Sequence, residues 1–172
     1  MSRILLHVCC APCSTASVER LQEQGYEVVL FFSNSNIHPE EEYLRRLSQA
    51  RRLAGIMHLE LVEDEYDHGA WLTRVRGLED EPERGRRCLK CFEHSLGRTA
   101  QAMKRLGLQG FTTTLSVSRH KSSPDLFAVG RFFEGFVEID FKKRDGFARS
   151  IELSRQLDLY RQGYCGCEFS AR

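Results

Sequence analysis

Seven cysteines stand in three groups along the chain of 172 residues: Cys9, Cys10 and Cys13 in "HVCCAPCS", Cys88 and Cys91 in "CLKC", and Cys165 and Cys167 in "CGC". Two cysteines three positions apart can reach one metal ion or cluster from a single turn, so "CLKC" reads as a ligand pair. "CGC" reads the same way, because Gly166 leaves the backbone free to fold around a ligand. Tetrahedral zinc or a [4Fe–4S] cluster takes four thiolates at most, which leaves three sulfurs over. The thiols therefore suggest a cluster with a neighbouring metal, or a cluster with a reactive cysteine pair. A structural zinc module remains the rival reading, and Cys9, continuing a strand, could instead be a small buried hydrophobe.

Such thiols need a reducing compartment if they are not to pair. Their odd number fits poorly with a disulfide framework. The opening "MSRILLHVCC" lacks the long apolar region of a secretory signal, and no apolar run approaches the roughly 18 residues of a membrane helix. The expectation is a cytoplasmic protein without a membrane partner. Hydrophobic residues at 41% and charged residues at 28% describe a globular chain. A formal net charge of +1 leaves nucleic-acid contact to local patches.

The elements that must position these sulfurs follow from hydrophobic periodicity. "RILLHVC" (3–9) reads as a buried strand, "STASVERLQEQGY" (14–26) as a helix and "EVVLFFSN" (27–34) as a second strand. A helix is expected over about 40–54, with Glu40, Glu41 and Glu42 at its positive end. "MHLELVE" (57–63) alternates like a third strand. The polar, turn-rich middle from Asp64 to Cys91 is expected to lie across the sheet's end. Further elements are a helix over 92–106, a strand over 110–118, a partial helix in "DLFAVGRFFEGF", a strand-like "FVEIDF" and a last helix over 150–162. Strands alternating with helices indicate a parallel sheet, and ligand sites in such sheets lie at the strands' carboxyl edge, where the first cysteine group sits.

"LLHVCCAPCS", "FFSNSNIHPEEEYLRR", "LEDEPERGRRCLKCF", "FTTTLSVSRHKS", "DFKKRDG" and "RSIELSRQLDLYRQGYCGCEFS", in this order over nearly the whole chain, resemble the QueH-type epoxyqueuosine reductases. The resemblance implies a Rossmann-like fold related to the adenine-nucleotide hydrolases, with flanking helices and cysteine-bearing loops at one sheet edge. It makes residues 1–172 a single iron–sulfur α/β domain. It also implies a cobalamin-independent oxidoreductase of tRNA processing, carrying a [4Fe–4S] cluster and an additional mononuclear iron. Its substrate is tRNA with epoxyqueuosine at the wobble position, and an external flavodoxin- or ferredoxin-type donor supplies electrons. An ATP-pyrophosphatase role, suggested by such a fold alone, is disfavoured because "APCS" puts Pro12 where phosphate-binding amides are wanted.

Within that resemblance, strand alternation assigns Cys10, Cys88, Cys91 and Cys165 to the cluster and Cys9, Cys13 and Cys167 to the second iron. Lys121, Lys142, Lys143 and Arg144 are expected to meet tRNA phosphates. Tyr43, Trp71, Phe147 and Tyr164 are candidate stacking platforms for the wobble base. His7 and His38 read as structural, Asp64, Tyr66 and Asp67 as a solvated loop with a possible proton donor, and Glu79, Glu83 and Arg84 as supports of the cysteine loop.

Overall fold

The computed structural model describes residues 2–170. Its elements run β1 (Arg3–His7), α1 (Ala11–Glu23), β2 (Glu27–Phe32), α2 (Glu40–Met57), β3 (Leu61–Glu63), α3 (His68–Val75), α4 (Arg86–Arg105), β4 (Phe111–Thr113), α5 (Ser123–Gly130) and α6 (Gly146–Gln156). Short 3-10 turns cover Thr114–Val117 and Glu168–Ser170. The four strands form one parallel sheet in the order β3-β2-β1-β4, with Leu5 opposite Val29 on one side and Phe111 on the other.

Both faces of the sheet are covered, as parallel pairing requires. On β1 and β2, Ile4, Leu6, Val28, Leu30 and Phe32 point to a core closed by Val18 and Leu21 of α1 and Tyr43 and Leu47 of α2. Leu5, Val29 and Phe31 point the other way, against Phe92, Leu96 and Met103 of α4 and Leu126 of α5. Each large side chain removed from water in this way contributes about 1.5–3 kcal/mol. Helix α6 lies on the outside of α1, joined by the Arg149–Glu19 ion pair at 3.0 Å.

Several boundaries differ from the sequence expectations, each for a local reason. Strand β1 stops at His7 and α1 begins at Ala11, because Cys10 takes the extended cap conformation and Pro12 suits the first turn. The third strand keeps only Leu61–Glu63, since α2 runs on to Met57. The polar middle holds a helix, α3, capped where the Asp67 carboxylate accepts the Ala70 N–H at 2.9 Å. Helix α4 starts at Arg86 and so takes in both cysteines of "CLKC". Strand β4 ends at Thr113, whose hydroxyl accepts the Leu115 N–H at 3.1 Å and bends the chain into the 3-10 turn. Segment 136–141 makes one bridge, Phe136 to Phe111, and is then held by the Ser116 hydroxyl, which donates to the Ile139 carbonyl and accepts the Phe141 N–H. The last helix ends at Gln156, before Asp158 turns left-handed at φ 52°.

Sheet order reverses at β1: the chain steps outward through β2 and β3, then returns to place β4 on β1's free side. Open α/β sheets leave a crevice outside the strands' carboxyl ends at such a point.

Candidate metal centre

The first thiol group forms where β1 feeds α1. Cys10 precedes the helix and Cys13 lies in its first turn, so both sit at the electropositive helix end. The Sγ atoms of Cys9 and Cys10 are 3.9 Å apart, and the three sulfurs of Cys9, Cys10 and Cys13 all lie within 4.8 Å of one another. The alternation that would send Cys9 and Cys10 to opposite sides does not arise, because the strand has already ended. Thr114 anchors the group from β4's side: its Oγ1 accepts the Cys9 N–H at 3.0 Å and donates to Cys9 Sγ at 3.1 Å. Hydrogen bonds from Cys13 and then Cys9 hold the Cys10 thiol well below its ordinary value. The Cys10 partner pushes Cys9 up to about 12 and Cys13 upward too.

These sulfurs fit one metal ion. A tetrahedral ion bound at about 2.3 Å from each thiolate separates its sulfurs by about 3.8 Å, and the Cys9–Cys10 distance is 3.9 Å. Ligands of a cubane cluster bind different irons and stand wider apart.

The second group is carried by α4. Cys88 lies in the first turn and Cys91 one turn later on the same face. Arg84, left-handed at φ 70°, donates its N–H to Cys88 Sγ at 3.3 Å, while its guanidinium reaches the carbonyls of His120 at 2.9 Å and Arg119 at 2.6 Å. Arg87 is 2% exposed and gathers the carbonyls of Leu78, Glu79 and Glu81 together with the Ser170 hydroxyl. The supporting role expected of Arg84 is thus visible, Glu79 contributes through its backbone, and Glu83 lines the cavity described below.

The third group is shaped by Gly166, at φ 119°, whose carbonyl accepts the His38 N–H at 2.9 Å. Arg46, 2% exposed, donates to the carbonyls of Cys165 at 2.8 Å and Tyr164 at 3.0 Å and pairs with Glu42 at 2.9 Å. Removing this arginine leaves two carbonyls without that donor and the mostly buried Glu42 carboxylate without its cation, held only by the Tyr160 hydroxyl. Arg46→Met is expected to lower unfolding free energy by about 3–5 kcal/mol in a denaturant titration. The Cys167 hydrogen bond, reinforced by Lys121, brings Cys165 down to about 5, while Cys167 rises. Cys91, Cys165 and Cys167 pack around the fully buried Trp71 and Val75. Burial pushes Cys91 up to about 11, opposed by Lys121 and Trp71. The Trp71 Nε1–H has no partner in hydrogen-bonding geometry. A buried indole donor beside a thiol suits a wall that carries negative sulfur.

All three groups converge. A cavity of about 260 Å³ is lined by Cys9, Cys13, Cys88, Cys91, Cys165 and Cys167, with Cys10 beside Cys9. It sits at the carboxyl edge, reached by residues following β1 (Cys9), β2 (Asn34) and β4 (Ser118). Lys121 points into it. Its Nζ lies 5.7 Å from the Phe92 ring centre, and burial, which opposes its charge, is outweighed by Cys165, Cys91, Cys88 and Cys9, so its pKa rises.

The remaining candidates divide by position. Trp71, Phe147 and Tyr164 line the cavity and Tyr43 does not; Trp71 is 0% exposed, which leaves Phe147 and Tyr164 as accessible platforms. Arg119 stacks on Phe147 at 4.1 Å. Lys142, expected at phosphate, is committed inside: its Nζ donates to the carbonyls of Ser116, Ser118 and Lys121 and to the Ser123 hydroxyl. Lys143 and Arg144 are exposed. His7 lies buried under the site between Thr113 Oγ1 and the Ser33 carbonyl, each at 2.9 Å, and burial lowers it to about 4. Asp64, Tyr66 and Asp67 do not line the cavity. Burial of Asp64 is overcome by hydrogen bonds from Arg98 and Ser33, which lower its pKa; Tyr66 donates to the Ile37 carbonyl, and Asp67 caps α3. Sequence reasoning missed Arg46, Arg87 and Thr114. Nothing distinguishes buried Arg87 from Arg86, whose side chain is 74% exposed, until the fold places them.

The family described as "Epoxyqueuosine reductase QueH" matches residues 4–172. This chain belongs to the QueH family. Relatives named epoxyqueuosine reductase QueH include one from Streptococcus pyogenes serotype M1, 39% identical over 98% of this chain and 70% of the relative. Another, from Thermotoga maritima, is 33% identical over 99% of this chain and 91% of its own length. Among solved structures, a Methanocaldococcus jannaschii protein described as a predicted subunit of tRNA methyltransferase superposes with a TM-score of 0.60 at 12% identity, over 88% of this chain and 75% of that one. That likeness concerns the fold alone, an open parallel α/β sheet covered by helices, as expected from the sequence. Among the described residues, no helix is long and apolar enough to cross a membrane.

Proposed function

We propose that the chain reduces epoxyqueuosine at the tRNA wobble position to queuosine, in the cytoplasm, with its thiols holding a [4Fe–4S] cluster and a neighbouring iron. The observation that carries this reading is the meeting of six cysteines from three distant segments in one cavity of a QueH chain. The reaction takes two electrons and two protons, breaks both epoxide C–O bonds, forms a C=C bond and releases water. When bound, such a metal pair supplies one-electron delivery and a Lewis acid for the epoxide oxygen.

The sulfur spacing supports one revision of the ligand division. Cys9, Cys10 and Cys13 are close enough to share a single ion, which leaves Cys88, Cys91, Cys165 and Cys167 as the four ligands a cluster needs. Cys10 and Cys167 thereby exchange places relative to the assignment from alternation. Lys121 lies among four of these thiols and offsets their negative charge, so it acts inside the cavity and not on phosphate. A flavodoxin- or ferredoxin-type protein serves as electron donor.

The wobble base stacks on Phe147 or Tyr164 at the cavity, and phosphates meet Arg119, Lys143, Arg144 and Arg161 around it. Four single-strand contacts give a log–log salt slope of about −2.8, so anticodon stem-loop binding should weaken about fiftyfold between 50 and 200 mM salt. A slope near zero in a fluorescence titration would remove these four residues from the interface.

The deciding experiment is anaerobic incubation of the iron-reconstituted chain with epoxyqueuosine tRNA and a strong reductant, with nucleosides read by mass spectrometry. Queuosine formation, lacking one oxygen, is expected. Colourless protein that retains stoichiometric zinc and converts nothing would overturn the reading in favour of a structural zinc module.

A further inference from the structure

The geometry points to a second metal site, built without cysteine from His38, His68 and Glu168, that takes a divalent first-row transition ion. One donor atom from each residue lies within 4.8 Å of the others. His68 Nε2 is 2.8 Å from Glu168 Oε1, and His38 Nε2 is 3.8 Å from Glu168 Oε2. The two imidazoles stack at 5.1 Å with 26° between their planes. None of the three residues lines the thiol cavity.

The hydrogen-bond pattern around His68 asks for a positive charge. Its Nδ1 lies 2.8 Å from the Ser35 carbonyl oxygen, an acceptor, so Nδ1 carries the ring's proton. The lone pair of Nε2 then faces a carboxylate oxygen, which is also an acceptor. Two acceptors at that distance need a shared cation: a second proton, or a metal. A proton would satisfy His68 and Glu168 alone. It gives no role to His38, which turns its own Nε2 toward the other carboxylate oxygen. Two imidazole nitrogens and a carboxylate are the donor set of zinc and of non-haem ferrous sites, and a ligating histidine commonly fixes its second nitrogen on a carbonyl as His68 does. Glu40 and Glu41, in the first turn of α2 just after His38, add negative potential to the same corner.

The site's position gives it a task. His38 donates its N–H to the Gly166 carbonyl, Tyr164 OH donates to the His38 carbonyl at 2.5 Å, and Glu168 directly follows Cys167. His68 also stacks on Trp71 at 5.5 Å, and Trp71 packs with Cys91 and Cys167. An ion here ties the loop after β2 and the start of α3 to the terminal cysteine segment, clamping one wall of the thiol cavity from outside. The inference does not depend on the reaction proposed above.

The test loads zinc onto the iron-reconstituted chain under anaerobic conditions. After desalting, metals are counted and the zinc edge is read by X-ray absorption. One zinc per chain is expected, with a nitrogen and oxygen shell at about 2.0–2.1 Å. His38→Gln and Glu168→Gln should each weaken zinc binding at least about tenfold while leaving the iron content unchanged. The His38 side chain is 47% exposed, so that variant does not disturb the core, and retained iron reports a folded cavity. A sulfur shell at about 2.3 Å, no retained zinc, or affinity unchanged in both variants would each overturn the site. Because zinc is counted without turnover, these outcomes are distinct from a failure of the reductase reading.

Discussion

Cys88→Ala and Cys91→Ala should each strip the reconstituted chain of its cluster absorption and lower conversion of epoxyqueuosine tRNA by more than about a hundredfold. Loss of an outer partner of a metal site already costs about 10–100-fold, and these two are proposed as direct ligands. They stand on successive turns of α4, with the Arg84 N–H on Cys88 and Trp71 beside Cys91, so each sulfur has its own fixed place on the cavity wall. Cys10→Ala is the informative contrast. If Cys9, Cys10 and Cys13 share one ion, this change removes about one iron per chain and leaves the visible absorption and acid-labile sulfide in place. Iron and sulfide analysis on the same samples separates the outcomes. Loss of the whole cluster in Cys10→Ala would restore the division in which Cys10 is a cluster ligand.

Gly166→Ala should destabilise the fold by about 2–5 kcal/mol, combining backbone strain with overpacking, and should empty the cluster site as well. The residue is held at φ 119°, where a side chain is strained. An added Cβ would lie 2.8 Å from Ile37 Cγ1 and 3.2 Å from Arg46 Nη1. Ile37 and Arg46 are 1% and 2% exposed and have no room to retreat. Relief has to come from the flanking cysteines, which moves Cys165 and Cys167 off the cavity wall. Gly163, three residues earlier, has nothing within 4 Å of its virtual Cβ, so Gly163→Ala should stay within about 0.5 kcal/mol. Urea titrations and iron content of the two variants test the claim. Equal behaviour of both would show that the tight turn does not shape the thiol wall.

Much of this architecture was legible in the sequence because it rests on local rules. The doubly buried strands read as apolar runs, and β1 and β2 appear where such runs stand. "CLKC" has the spacing of a ligand pair, and the helix that carries it sets both cysteines on one face. The opening cysteines were expected at the carboxyl edge because a strand precedes them, and Cys9 and Cys13 line the cavity there. Helix α3 escaped notice because it is eight residues long and buries only Trp71 and Val75, too short a period to count.

What the sequence determined by itself is therefore the class of sheet, the family, and a set of thiols spaced as metal ligands are. These follow from periodicity, motif order and spacing, all short-range properties of the chain. Tertiary structure alone decided which sulfurs are neighbours, because strand β1 ends two residues before Cys9 and the helix end, not strand alternation, aims the trio. It also turned Lys121 and Lys142 inward and buried Arg46 and Arg87 as braces of the cysteine loops. A cation's partners in these cases come from segments up to 119 residues away, as between Arg46 and Cys165. Charge and hydrogen-bond satisfaction are settled by what the fold brings within about 3 Å, and that distance is not written in sequence order.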